Sequence, residues 1–136
     1  MAFIPRQGHE GKEVEIELVT SAAVAKHDVL ADDGNGLFQR ATSSSTKGHY
    51  VALEAVTSAS ALQKIMAYPA AMSDIRFEAD TQAAVSQTDV GTNADLTDHD
   101  TLNENASSND VFYIESIIGA AGTSQKVYGY FLDKTS

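Results

Sequence analysis

Hydrophobic and polar residues alternate with a period of two in several short stretches of this chain, the pattern expected of half-buried β-strands. The clearest stretches are Asp74–Asp80 and Glu13–Leu18, where charged residues occupy the alternate positions. We therefore predict that both stretches are strands with one face toward a core. The predicted core positions are Ile75, Phe77 and Ala79 in the first strand and Val14, Ile16 and Leu18 in the second.

Apolar runs between turn residues indicate further strands. Val111–Ile118 is apolar on both faces, which favours a central strand. Asp32–Gly36 contains Asp-Gly and Asn-Gly pairs, so it predicts a tight hairpin turn. Ala59–Met66 is compatible with a short helix or a strand, and its length favours the strand. The remaining predicted strands are Val29-Leu30, Leu37-Phe38, Tyr50–Val56 and Lys126–Leu132.

Strands at intervals of about ten residues, with no helical period longer than two turns, indicate an all-β fold. We predict a small antiparallel β-barrel or β-sandwich with long polar loops, the longest being residues 81–110. Residues 13–136 are expected to form a single β-rich domain. Residues 1–12 are expected to form an extended N-terminal arm, since Pro5 fixes φ and Gly8 and Gly11 loosen the backbone. A frayed terminus is the alternative.

The charge balance argues against polyanionic partners. The formal net charge is −10, from 19 acidic and 9 basic residues, and the basic residues form no run. Binding to nucleic acid or to an anionic membrane is therefore not expected, because phosphate binding needs clustered Lys and Arg. The absence of cysteine excludes disulfides and thiolate zinc sites. No apolar stretch is long enough for a signal peptide or a membrane span, so we expect a soluble product made in a cytoplasm.

The sequence contains no recognisable catalytic motif. His9, His27, His49 and His99 stand apart, outside metal-ligand spacing, and are interpreted as loop histidines. The run Asp95–Asp100 could offer carboxylates to a hard cation, but it lacks the calcium-loop pattern, so a solvated acidic loop is favoured. No nucleophile elbow or phosphate loop is present. A hydrolase with paired catalytic carboxylates is kept only as a residual hypothesis. We predict a protein that is not an enzyme and has no cofactor or metal.

Binding of a glycan or a receptor is a more serious alternative than a hydrolase. In that case the loops Thr42–Gly48 and Thr81–Asp110 would contact the ligand. The chain has no tryptophan for stacking on sugars. Its tyrosines fall mostly in predicted strands, which favours core and sheet-face positions for them. They are Tyr50, Tyr68, Tyr113, Tyr128 and Tyr130.

Two stretches of the chain resemble the capsid decoration (cement, or head-stabilisation) proteins of tailed bacteriophages. The first runs from Val14 to Thr42, with its Lys-x-Asp-Val-Leu segment at residues 26–30, and continues as HYVALEAVTSAS from His49. The second is DIRFEADTQAAVSQTDVGTNADL, followed by VFYIESI and VYGYF. The resemblance covers roughly residues 13–132 and lies in the order of strands and turns. Residues 97–110 depart from it, being longer and more acidic.

The resemblance implies a structural virion protein that binds the outside of an assembled capsid and bridges subunits of the major capsid protein. A homo-oligomer, dimer or trimer, is implied as well. An acidic protein on the outer surface of a shell would avoid the packaged nucleic acid. Within this hypothesis the arm residues Phe3, Ile4, Pro5 and Arg6 are predicted to contact a partner, and one edge strand is predicted to pair with it by β-augmentation.

Overall fold

The fold is all-β, as predicted. The computed structural model describes residues 2–71 and 74–133, and it contains two antiparallel sheets and, within those ranges, no α-helix. A single turn of 3-10 helix spans Gln87–Asp89. The strands are β1 (Phe3–Gln7), β2 (Val14–Glu17), β3 (Val29–Asp32), β4 (Phe38–Arg40), β5 (Tyr50–Ala52), β6 (Lys64–Pro69), β7 (Arg76–Asp80), β8 (Asn93–Leu96), β9 (Leu102–Asn103), β10 (Phe112–Ile117) and β11 (Lys126–Phe131).

Both sheets are curled: the two edge strands of sheet B approach each other, and edge strand β9 of sheet A approaches the end of β7. Sheet A has six strands in the order β1-β7-β11-β10-β8-β9, and sheet B has five in the order β2-β6-β5-β3-β4. A bridge between Leu18 and Phe38 links the two ends of sheet B, and a bridge between Thr81 and Leu102 brings β9 back to the end of β7. This curling gives sheet B the shape of a half-barrel, while β1 remains an edge strand of sheet A.

Two hydrophobic cores follow from this layout. The larger core lies inside sheet A and is built around the rings of Phe3, Phe77, Phe112 and Phe131. Residues of sheet B such as Val51 also belong to it, so the two sheets pack against each other through this core. The smaller core fills the half-barrel of sheet B and consists of Ile16, Leu18, Val24, Leu30, Ala52, Ala59, Ile65 and Ala67.

Most predicted strands are confirmed. Ile75, Phe77 and Ala79 are fully buried, as the alternation in this stretch indicated. β10 lies between β11 and β8, and β11 is its antiparallel partner, as expected for a central strand and a closing hairpin. The Asp32–Gly36 turn joins β3 to β4.

The prediction of one long loop at residues 81–110 is wrong. The region contains β8 and β9, and Leu96 and Leu102 are buried in the larger core. Polar residues in this region are buried too, because their side chains bond to the backbone: Asp95 accepts hydrogen bonds from the N–H groups of Ser108, Asn109 and Asp110. Local hydrogen bonding thus allows a polar sequence to pack.

Residues 3–7 are extended, but they do not project as an arm. They form β1, which pairs with β7 so that Phe3 lies opposite Ala79 and Ile4 opposite Glu78. Phe3 is fully buried, with its ring centroid 5.2 Å from that of Phe131. The extended segment is therefore docked on the domain, and burying a phenylalanine side chain stabilises the docked strand by about 1.5–3 kcal/mol.

Smaller corrections concern three strand predictions. Val14 was predicted to face the core, but it lies at the open end of β2 and is 38% exposed. β5 ends at Ala52, and Val56 forms only an isolated bridge with Val24. Residues 59–63 form a turn, and only the rest of the ambiguous segment joins β6.

Candidate functional site

The outward face of sheet A carries the most organised set of exposed side chains on the described part of the chain. In β11, Val127, Gly129 and Phe131 point inward, so the residues between them point outward. The register of neighbouring strands extends this outward face across four strands. We call it the tyrosine face; its members are Ile4, Arg6, Gln7, Arg76, Glu78, Asp80, Tyr113, Glu115, Ile118, Lys126, Tyr128 and Tyr130.

Arg76, the first residue of β7, lies at one end of the tyrosine face. Its guanidinium carbon is 4.5 Å from the ring centroid of Tyr130, and its Nε is 2.8 Å from Glu115 Oε1. Tyr113 lies opposite Tyr130 in the register, with the ring centroids 5.1 Å apart and the planes at 34°. A cation–π contact, an ion pair and a ring contact therefore fix these side chains relative to one another.

A chain of ion pairs runs along the other end of the tyrosine face. Glu78 lies between Arg6 (3.0 Å) and Lys126 (3.7 Å), and Lys126 also contacts Asp80 at 2.6 Å. The hydrogen bond to Asp80 raises the pKa of Lys126, with smaller contributions from the charges of Asp80 and Glu78. The charges on this face are thus mutually neutralised, although the protein as a whole is strongly acidic.

Gly129 makes this arrangement possible. A Cβ at this position would stand 2.0 Å from the carbonyl oxygen of Tyr113, so only glycine allows β10 and β11 to approach this closely. The β-bulge between Ile114 and Ser116 lies in the same pair of strands and adds Glu115 as an extra residue. Such bulges re-aim side chains, and here Glu115 reaches Arg76.

The four residues predicted to contact a partner divide between the two faces of β1. Ile4 and Arg6 belong to the tyrosine face, where Ile4 lies opposite Glu78 and Arg6 pairs with it. Phe3 and Pro5 lie on the core side, opposite Ala79 and Phe77. Phe3 is therefore inaccessible in this conformation, while Ile4 is half-buried and Arg6 is exposed.

The open edge of β1 is poorly suited to β-augmentation. The Phe3 N–H, which points away from β7, already donates to the His27 carbonyl at 3.2 Å. Pro5, the next residue with the same orientation, has no N–H to donate. A proline on an edge strand is a usual protection against pairing with other chains.

A buried carboxylate joins the two sheets. Asp28 is 3% exposed and precedes β3 of sheet B. Its Oδ2 accepts hydrogen bonds from the Ala25 N–H at 2.8 Å and from Arg40 Nε at 2.7 Å. Its Oδ1 lies 3.1 Å from Nδ1 of His99, which follows β8 of sheet A. The His99 carbonyl accepts a further hydrogen bond from Val29 N–H at 2.8 Å.

Asp28, His99 and Asp100 bring three potential metal-ligand atoms within 4.8 Å of one another. No single stretch of sequence indicates this grouping, because Asp28 and His99 are 71 residues apart. Arg40 already supplies the positive charge beside Asp28, so the cluster is best described as an ion-pair hub between the sheets.

The acidic run Asp95–Asp100 does not converge as a cation loop. The Asp95 side chain bonds backbone N–H groups, and Asp98 Oδ1 accepts from the Asp100 N–H at 3.0 Å. Burial and the hydrogen bond with Asp98 raise the pKa of Asp100. The carboxylates in this loop mainly hold the backbone in place.

The remaining tyrosines and His9 lie outside the tyrosine face. Tyr68 is buried and Tyr50 is half-buried against the smaller core. His9 packs edge-on against Tyr68, with the ring centroids 5.5 Å apart. An open groove of about 410 Å³ is lined by Asp89, Thr92, Asn93, Glu104, Asn105, Ala106, Ser107 and Asp110.

The chain matches no known protein family, no curated protein sequence and no solved structure. In the described ranges, none of the helical structure has the length and apolar character required to cross a bilayer.

Proposed function

We propose that this chain is a structural virion protein that binds the outside of an assembled phage capsid and bridges subunits of the major capsid protein. The observation that carries the proposal is the tyrosine face, a preorganised surface of aromatic, arginine and aliphatic side chains on a rigid sheet. Tyr and Arg are enriched where proteins bind other proteins, since they offer large contact area together with hydrogen bonds. The resemblance of residues 13–132 to decoration proteins supports the same function.

The size of the tyrosine face favours many weak contacts over one strong contact. Four strands spaced about 4.8 Å apart and about 20 Å long give a face of about 400 Å². A stable binary complex usually buries about 800 Å² on each partner. Binding across a capsid lattice would overcome this shortfall, because several linked contacts combine their affinities. Occupancy at 100 times the dissociation constant would stabilise each capsid site by about 2.7 kcal/mol.

Stacking on a sugar is a weaker alternative for the tyrosine face. Arg76 covers one side of the Tyr130 ring and Tyr113 lies beside it, so that ring has little free surface. The Tyr128 hydroxyl donates a hydrogen bond to Gln7 Oε1 at 2.8 Å. A sugar stacks on an aromatic ring only where the ring face is uncovered. A protein partner, in contrast, can bind side chains that are already held in place, and their fixed positions reduce the entropy lost on binding.

The test mixes purified protein with capsids of its own virus, measures co-sedimentation and locates the bound protein by electron microscopy. The double variant Ile4→Ser, Tyr128→Ser should weaken binding at least tenfold while keeping the fold, because both side chains point outward. Met66→Ser is the matched control, since Met66 is 36% exposed but lies on sheet B.

Failure of the wild-type protein to bind capsids at any position would refute the proposed function. Equal weakening by the Met66 variant would refute the assignment to the tyrosine face. Deleting the N-terminal residues is a poor test, because the deletion would remove Phe3 from the larger core and destabilise the domain.

A further inference from the structure

A cleft at one end of sheet B lies apart from the tyrosine face. Its larger part, about 370 Å³, lies between the β3–β4 turn and the loop 42–48. Its smaller part, about 60 Å³, adjoins the first because both are lined by Lys47 and His49. We call the two parts together the loop cleft. The larger part exposes both polar and apolar surface, with Asp32 and three hydroxyl residues among its lining, and the smaller part is also lined by Tyr50, Pro69 and Ala71.

The imidazole of His49 is held in a defined orientation in the loop cleft. Its Nδ1 accepts a hydrogen bond from the Asp32 N–H at 3.3 Å, and the Phe38 ring lies 5.9 Å away. Because Nδ1 is the acceptor, the neutral ring carries its proton on Nε2. Burial, followed by the charge of Lys47, lowers the pKa of His49 and favours this neutral form. His49 is therefore a fixed hydrogen-bond donor.

The loop 42–48 presents hydroxyl groups to the loop cleft. Thr42 N–H donates to Ser45 Oγ at 3.0 Å, and Ser44 N–H donates to Thr42 Oγ1 at 3.2 Å, so two hydroxyls shape the loop. The side-chain hydroxyls of Ser44 and Thr46 form no hydrogen bond with other described residues. They can both donate to and accept from a ligand.

Asp32 supplies a fixed acceptor on the opposite wall. Its Oδ1 accepts from the Gly34 N–H at 2.7 Å and from the Gly36 N–H at 3.2 Å, so the turn holds the carboxylate in place. The positive charge of Lys47 and the negative charge of Asp32 both line the cleft, and both act on His49. The lining thus combines oriented donors and acceptors with little net charge.

We propose that the loop cleft binds a neutral saccharide unit. Sugar hydroxyls donate and accept at once, which fits a lining of hydroxyls, imidazole and carboxylate. The apolar C–H side of a sugar ring would contact Tyr50 and Pro69 in the smaller part. A simple anion would face the carboxylate of Asp32, and a cation would face the ammonium group of Lys47, so neither suits the cleft as well. This site is a second function, on another sheet than the capsid-binding face.

The test screens the protein on an array of neutral and acidic oligosaccharides and titrates the neutral hits into isotope-labelled protein by NMR. Amide shifts should be confined to residues 31–36, 42–50 and 70–71, which form or adjoin the lining of the cleft. Thr46→Val should weaken binding about tenfold, as expected for the loss of one hydrogen bond to the ligand. His49→Phe should do the same and serves as the second variant. Ser107→Ala, in the loop between β9 and β10 that lines the separate open groove, is the matched control and should bind normally.

Three results would overturn the proposal: no neutral saccharide bound on the array, binding unaffected by Thr46→Val and His49→Phe, or inorganic phosphate producing the same amide shifts. Capsid co-sedimentation of the His49→Phe variant should equal that of the wild type. The two proposed functions can therefore fail independently.

Discussion

Changing Asp28 to Asn tests how much the ion-pair hub contributes to stability. The substitution keeps the shape of the side chain but removes its charge and replaces one acceptor oxygen with an NH₂ group. In the place of Oδ2, the NH₂ group would face two donors, Arg40 Nε and the Ala25 N–H. In the place of Oδ1, it would face the donor Nδ1 of His99. Breaking a buried ion pair commonly costs about 3–5 kcal/mol. Arg40 and His99 are 37% and 27% exposed and regain water, so we expect a loss near the lower limit, about 3 kcal/mol.

Urea unfolding followed by far-UV circular dichroism gives the free energy of unfolding directly. A loss of about 3 kcal/mol would also lower the melting temperature by about 10 °C for a chain of this length. Arg40→Gln should be destabilising as well, and the double variant should lose less than the sum of the two single losses, because the two residues share one interaction. Glu15→Gln, at an exposed position of β2, is the control for removing a carboxylate. A loss below about 1 kcal/mol for Asp28→Asn would refute the reasoning, since it would mean that the buried charge is easily replaced.

Three further predictions concern single positions. Burial, with the charges of Lys26 and Arg6, lowers the pKa of His27 from 6.5, so the unfolded chain gains its proton at higher pH than the folded protein. The free energy of unfolding should fall as the pH drops below 6.5. His27→Asn should reduce this dependence of the unfolding free energy on pH, and asparagine tolerates the φ of 71° at this position. An equal pH dependence of the two proteins in urea titrations would contradict this. Gly129→Ala should cost about 2–3 kcal/mol in thermal unfolding, because its Cβ would overlap the Tyr113 carbonyl, and a near-neutral effect would show that β10 and β11 separate easily. Leu62→Gly should raise stability by about 1 kcal/mol, since Leu62 has a φ of 64° and a 76% exposed side chain; an unchanged melting temperature would argue against strain there.

The strands that could be predicted from sequence are those in which burial and periodicity agree. Arg76–Asp80 alternates cleanly and is paired on both sides, so its pattern is governed by one buried face. Asn93–Leu96 could not be recognised, because Asp95 is buried in spite of its charge and is stabilised by N–H groups of residues 108–110. A polar strand of this kind resembles a loop until its hydrogen-bond partners are known.

The sites were harder to predict than the strands, because they are built from distant parts of the chain. Spacing motifs detect ligands that lie close in sequence, and they could not bring Asp28 to His99. The tyrosines of β10 and β11 were expected on a sheet face, but the Arg76 contact depends on the register between β7 and β11. Likewise, nothing in residues 1–12 indicates that Phe3 lies opposite Ala79. Only the three-dimensional pairing of strands supplies this information.

The pairing of β1 with β7 also constrains the order in which the chain folds during synthesis. The strands of sheet B all lie between Val14 and Pro69, so sheet B can assemble while the ribosome is still translating the second half. Sheet A needs both β1 and β11, which are separated in the sequence by all the other strands, and closing such a long loop is slow. Until β7 emerges, Phe3 has no strand to pair with. The apolar residues Phe3 and Ile4 therefore stay exposed until residues 76–80 have been made, and such exposed segments are prone to aggregation.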